Sequence, residues 1–449
     1  MALSVAGLLE NFHVRNYYQV QYLPYAIHLW HLAEQKVGYP ASMLDTVSGR
    51  FMKPTSQMVG KDLFELDPHG QRVIPREILG VSPNSLADVY INNVGWPQDN
   101  IGNFHLETHE LEMDIIRMFG RFYGCPEGFL QGFVTSSGTE GSFSGLWWNR
   151  DFLQNGGHSP ILLTSNQTHY SVSKAAQQLA IKGRLVETTP IGDIDCEDLS
   201  RILDVLARDE PNRPILMNVN VGTTQTGEID NLPRIHELLV EKVKGRGVHF
   251  AIHVDAALLG ACLPIRNPFG KVDYFQDFDV NTIAISGHKF FGSVCICGLC
   301  LTTALFLDAC FKKRDTSVKY LTGLHDMTPS GSRSGFAALS FHNTLCGLYM
   351  HTDAHRLRLI VDQCYLNVEH FVRNMVKLLD TDSIIHPDHS LTVCFPRPSE
   401  KLMIRYQLMP VSMPRAEGVP LAGVCILVNV DRTKIDNFLA NYSQDMRSC

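Results

Sequence analysis

The stretch GFVTSSGTEGSFSGLWWNRDF, Gly132 to Phe152, decides the fold class. Gly132–Thr135 is strand-like, a Ser/Gly turn follows, and a helix is expected from about Glu140 to Phe152. The same alternation then repeats down the chain. Strand-like Ile161–Thr164 precedes helix Val172–Ile181, and Arg184–Glu187 precedes helix Asp195–Ala207. Ile215–Val221 precedes helix Leu232–Val243, and Phe250–Val254 closes the run. Strands separated by helices of this length are parallel strands joined by crossovers, so the expectation is an α/β protein with a mostly parallel central sheet.

Ligands bind open α/β sheets at the carboxyl ends of the strands, and four such ends carry chemistry. Thr135–Gly141 offers backbone N–H groups and the hydroxyls of Ser137 and Thr139 at a helix start, which suits a phosphate. An ordinary capped turn would look the same. His169 follows a strand end; it could cap the next helix or lay its ring on a flat cofactor. Asp255 ends the run Ile252-His253-Val254. A buried carboxylate there needs a cationic partner such as a protonated pyridine nitrogen, unless it serves as a helix N-cap. Lys289 follows Ile283-Ala284-Ile285-Ser286-Gly287-His288. An amine in such an apolar setting either snorkels to water or gives up its charge, as in a Schiff base with a carbonyl. Each feature alone has a bland explanation. Together, in this order, they describe pyridoxal 5'-phosphate (PLP).

Composition is that of an ordinary soluble globular protein. The chain has 449 residues, 45% of them hydrophobic and 19% charged, with a net charge of −7. That charge argues against nucleic acid as a partner, and no apolar run reaches the length of a membrane span. The N-terminus has no basic region and Glu10 interrupts its apolar stretch, so no signal peptide is expected. The 12 cysteines are scattered, which suits free thiols in a cytoplasmic setting. Cys295, Cys297 and Cys300 lie in the apolar run VCICGLCL without a completing pair, so buried cysteines and no metal are expected.

Three regions are expected. Residues 1–106 are helical at first and then loop-rich, residues 107–345 form the large α/β domain, and residues 346–449 form a small α+β domain. In the last, a helix at Thr352–Leu379 precedes strand candidates Leu391–Phe395 and Gly423–Val428 and a helix Arg432–Ala440.

TSSGTEG, THYSVSKAA, NVNVGTTQTGEID, HVDAALLG and SGHKFFG resemble the group II PLP-dependent amino-acid decarboxylases, in their histidine decarboxylase and plant serine decarboxylase branch. GYP at Gly38–Pro40, INN at Ile91–Asn93, SGSRSG at Ser330–Gly335 and the stretch Phe395–Leu408 extend the likeness to most of the chain. The resemblance implies the fold-type I architecture of the aspartate aminotransferase group. It implies that Lys289 carries the cofactor, that Asp255 pairs with the pyridine nitrogen, and that His169 stacks on the ring and borders the substrate. Ser137, Gly138, Thr139, Ser286 and His288 would hold the phosphate, with Ser330 and Ser332 of SGSRSG joining the cofactor pocket. Thr223 or Thr224 would meet the ring hydroxyl. Tyr39 and Asn93 would lie near the substrate entrance, and Tyr320, in the loop Lys312–Pro329, would protonate the substrate carbon. SGSRSG usually reaches the neighbouring subunit's site, which implies a homodimer. The implied reaction converts an L-amino acid to its amine and CO2, with a histidine- or serine-type substrate expected; methionine, an aliphatic substrate, or oxidative deamination to an aldehyde are the alternatives. Phe336 departs from the branch, where histidine is common at that place, and the stretches Ser42–Asp88 and Pro414–Pro420 run longer than usual.

Overall fold

The computed structural model describes residues 92–99, 107–123, 125–126, 128–154, 158–266, 273–312, 315–319, 324–346, 355–379, 383–412 and 420–447. Readings that fall on residues 1–91, including Tyr39, and on Tyr320 lie outside them. After a two-residue strand β1 (Asn92–Asn93), helix α1 (His109–Tyr123) leads into β2 (Leu130–Thr135) and α2 (Gly138–Gln154). The crossover series follows as β3 (Ile161–Ser165), α3 (Tyr170–Gln178), β4 (Lys182–Val186), α4 (Cys196–Asp209), β5 (Ile215–Asn220), α5 (Leu232–Lys242) and β6 (Phe250–Asp255). Then come β7 (Val280–Ser286), β8 (Gly298–Thr303) and α6 (Ala304–Phe311).

These strands form one seven-stranded sheet in the order β2-β8-β7-β6-β5-β3-β4. Six strands share a direction, and β8 runs against both of its neighbours, β2 and β7. The Ile283-Ala284-Ile285 approach to Lys289 is the buried central part of β7. The VCICGLCL run enters the sheet only from Gly298 onward; Cys297 and Cys300 are buried, but Cys295, ahead of the strand, is only half-buried. Helix α2 lies directly on the sheet because its inner face is glycine. A Cβ at Gly141 would stand 3.1 Å from Ala284 Cβ, and one at Gly138 would stand 2.5 Å from Ser286 Oγ. Glycine is therefore required where the start of α2 meets the end of β7.

Short strands β9 (Ser317–Val318) and β10 (Leu324–His325) pair with each other, and β11 (Arg333–Ser334) pairs antiparallel with β1. The helix α7 (Gly335–Thr344) follows β11, with Ser334 as its N-cap. The final part contains α8 (His355–Met375), β12 (Thr392–Pro396), β13 (Met409–Val411), β14 (Leu421–Cys425) and α9 (Arg432–Met446). Its three strands form an antiparallel sheet, β12-β14-β13, against which α8 and α9 pack Phe371 and Phe438. The expected strand at Gly423–Val428 begins two residues earlier and ends at Cys425. The apolar core runs without a break from Ile285 and Phe291 of the large sheet to Phe395 and Phe438 of the small one.

Two polar devices tie distant segments together. Arg333 Nη1 donates to both oxygens of Glu112 at 2.5 and 2.7 Å, its Nη2 donates to Gly95 O at 2.9 Å, and both side chains are almost wholly buried. Asn93 donates to the same carboxylate at 2.7 Å. A charge-assisted pair with further hydrogen bonds to both partners is what makes such burial tolerable. The second device is the loop after β5. Ser390 Oγ donates to Thr226 O at 3.1 Å, and Ser412 N donates to Gln225 Oε1 at 2.6 Å, so the small sheet grips this loop. Within it, Glu228 N donates to Thr223 Oγ1 and Ile229 N donates to Glu228 Oε1, while Glu228 Oε2 is buried without a partner. Burial, with Asp193, Asp230 and Asp388 nearby, pushes the Glu228 carboxyl up to about 8.

Removing one member of the Arg333–Glu112 pair strands the other. Glu112→Ala is expected to cost about 3–5 kcal/mol, read as a lowered denaturant midpoint, and Glu112→Leu combined with Arg333→Met should recover most of that loss. For Glu228 the folded carboxyl holds its proton more tightly than the unfolded one. The stability that Glu228 contributes is then fully present below pH 4.5, the ordinary carboxyl value, and is lost as pH rises towards about 8. Glu228→Gln keeps the neutral shape, so its denaturation midpoint should drop less between pH 5 and pH 8 than the parent's; parallel curves would disprove this.

Candidate active site

The carboxyl ends of the strands bring the expected residues to one edge of the large sheet. Ser137 and Gly138 follow β2, His169 follows β3, Thr223 and Thr224 follow β5, Asp255 ends β6 and Ser286 ends β7. Parallel register sets Asn220 beside Asp255, and Asp255 beside Ala284.

Asp255 is 8% exposed, and its Oδ1 accepts from Ala257 N at 3.1 Å. Among the described residues no other hydrogen bond is recorded for this buried carboxylate, a setting that calls for a cation. Two residues earlier on the same face, His253 is fully buried, with Nδ1 2.8 Å from Thr282 Oγ1, and burial lowers it to about 4. It is a neutral imidazole beneath the Asp255 side chain.

Lys289 is half-buried in the turn after β7, just ahead of the buried Phe290 and Phe291. Gly287 N donates to Cys297 O at 2.9 Å and His288 Nδ1 donates to the same carbonyl at 2.8 Å, which fixes the turn. His169 is the N-cap of α3: its Nδ1 accepts from Ser171 N at 3.3 Å and lies 2.7 Å from Ser171 Oγ. The capping reading is thus realised. A nitrogen that accepts a backbone N–H carries no proton, so the proton of the neutral ring is on Nε2. Burial lowers the proton affinity of His169, Asp255 acts against that, and Lys289 reinforces it. Asp255 and Lys289 therefore both lie within electrostatic reach of His169.

At the start of α2, Glu140 Oε2 accepts from Ser136 N at 2.5 Å and Oε1 accepts from Ser330 Oγ at 2.9 Å. Ser330 of SGSRSG is thus joined to this chain's own Ser/Gly turn, while Ser332 Oγ accepts from Asn92 Nδ2 at 3.2 Å. Glu140 was not among the expected site residues, although Ser137-x-x-Glu140 has capping-box spacing. Asn220 was also missed. It is buried, and Asp230 accepts from its backbone N at 2.6 Å and from its Nδ2 at 2.8 Å. Burial pushes Asp230 up to about 7 against those donors.

Two expected residues, Asn93 and Thr223, have their side chains committed to other partners. Asn93 is 0% exposed, and its amide is spent on Thr108 and Glu112. Thr223 is buried and turns its hydroxyl towards Thr226 and Glu228, whereas Thr224 is exposed. Thr139 is exposed, and Ser137 is half-buried.

These residues fit PLP. Gly138 allows the turn to close on Ser286, Asp255 is a buried anion one strand from Lys289, and His169 stands between their fields. Asp255 would hold the ring nitrogen, Lys289 the carbonyl carbon, and the Ser137–Thr139 turn with Ser286 the phosphate.

Known proteins agree. Residues 107–328 match the pyridoxal-dependent decarboxylase conserved domain. The chain is 33% identical to the histidine decarboxylase of Pseudomonas entomophila over 71% of this chain and 73% of that protein. It is 31% identical to serine decarboxylase 1 of Oryza sativa over 78% of this chain, and spans 66% of that relative's length. In fold it is similar to the L-methionine decarboxylase of Streptomyces sp. 590, with a TM-score of 0.72 at 19% identity, over 87% of this chain and 93% of the other. The expected fold class, cofactor and family are thus borne out: the chain belongs to the pyridoxal-dependent decarboxylases, in the group II branch of the histidine and serine enzymes, and is a PLP-dependent amino-acid decarboxylase.

Proposed function

We propose that the chain decarboxylates a small polar L-amino acid of histidine or serine type, and works as a cytoplasmic homodimer. The observation that carries the reaction is that Asp255 and Lys289 both act electrostatically on His169, all three at or just after carboxyl ends of strands of one sheet. The histidine and serine decarboxylases among its relatives support the substrate class.

When bound, PLP supplies an electron sink for the pair released as the Cα–carboxylate bond breaks. The protein's part is positioning and proton control. Asp255 keeps a proton on the ring nitrogen, because a buried carboxylate disfavours losing its cationic partner. Lys289 anchors the cofactor and yields to the substrate amine. His169 is held by Ser171 so that its Nε2–H, not Nδ1, is available to the site. Tyr320, by family likeness, delivers a proton to Cα, with His169 Nε2 as the other candidate donor. Thr224 is then the candidate for the ring hydroxyl, because Thr223 is committed to its own loop.

The purified enzyme with PLP is to be incubated with each of the twenty amino acids, with CO2 and products followed by mass spectrometry. One amino acid should give its amine, and Lys289→Ala should reduce turnover to that of free PLP. An aldehyde with ammonia would mark oxidative deamination, and turnover of methionine or leucine alone would overturn the polar substrate.

A further inference from the structure

Away from the cofactor pocket, three side chains of metal-ligating type meet between α1 and the end of α7. Asp114 comes from α1, and His342 and Cys346 lie four residues apart, on one side of a helical turn. His342 Nε2 is 2.8 Å from Asp114 Oδ2, Cys346 Sγ is 3.7 Å from that nitrogen, and the donor atoms of all three lie within 4.8 Å of one another. His342 is 2% exposed and Cys346 5%, while Asp114 is half-buried. Among the described residues this is the one such group.

A His–Asp ion pair explains two of these residues but not the third. Cys346 Sγ is 4.0 Å from Nδ1 and 3.7 Å from Nε2, long and nearly equal distances that single out neither ring nitrogen. That is a poor hydrogen bond. It is close to the separation of two ligands on a tetrahedral zinc ion, which is roughly 3.5 Å for bonds of about 2.3 Å to sulfur and 2.1 Å to nitrogen. Thiolate, imidazole and carboxylate are also the donors that zinc takes.

We propose that Asp114, His342 and Cys346 bind one Zn2+ per chain, with water in the fourth position. Binding releases two protons, one from the Cys346 thiol and one from between His342 and Asp114. Asp114 must draw back to roughly 3.4 Å from Nε2 and the sulfur must close in, shifts that a half-buried side chain and a helix end can make. The ion ties α1, two residues after Glu112, to the helix that follows Arg333. It thus staples the segment that carries Ser330 and Ser332.

The spacing rules of zinc sequences miss this site because Asp114 and His342 are 228 residues apart. The test uses PLP-loaded enzyme stripped by a chelator and titrated with Zn2+ by calorimetry, with bound metal measured after gel filtration. One ion per chain is expected, with affinity lowered at least about 100-fold in Cys346→Ser and in Asp114→Asn, and with Cys346 shielded from alkylation by the metal. The PLP absorbance of each variant checks that it has folded. Equal zinc binding by the parent and Cys346→Ser, no binding by the parent, or full alkylation of Cys346 with zinc present would each overturn the proposal.

Discussion

Everything at the sheet edge depends on one buried negative charge. Asp255 ends a central strand, is nearly sealed from water, and receives one backbone donor, from Ala257. Such a carboxylate is unfavourable by itself and becomes favourable when a cation arrives. The pyridinium of PLP would be that cation under the proposed function. The neutral His253 below it, the capped His169 beside it and Lys289 one strand away then read as parts of one electrostatic arrangement.

Rigid supports hold that arrangement from three sides. Glycines on α2 let the Ser/Gly turn close on β7. The small sheet grips the Thr223–Glu228 loop through Ser390 and Ser412. The buried Arg333–Glu112 pair fixes SGSRSG against α1, so that Ser330 meets Glu140 at the same turn. Each support is non-local, and each constrains an element that bears a site residue.

The local parts of this architecture were legible in the sequence, because strand periodicity and turn chemistry are local signals. The crossovers from β2 to β6 appeared where expected, within a few residues. Helix α3 starts at Tyr170 rather than Val172 because His169 caps it, and α2 starts at Gly138 because the turn and the helix share residues. What could not be read was long-range. The antiparallel placement of β8 depends on the order of strands, not on its composition. Asn93 read as an entrance residue, yet it is sealed against Glu112 by a partner, Arg333, far along the chain. The Asp114–His342–Cys346 group has no local signature at all.

The central claim is that Lys289, next to the Asp255 charge, is the residue that carries PLP. Reduction of the PLP-loaded enzyme with borohydride, followed by peptide mass mapping, tests it directly. The account expects one pyridoxyl group per chain, on Lys289. A label on another lysine, or no covalent label despite bound PLP, would contradict it.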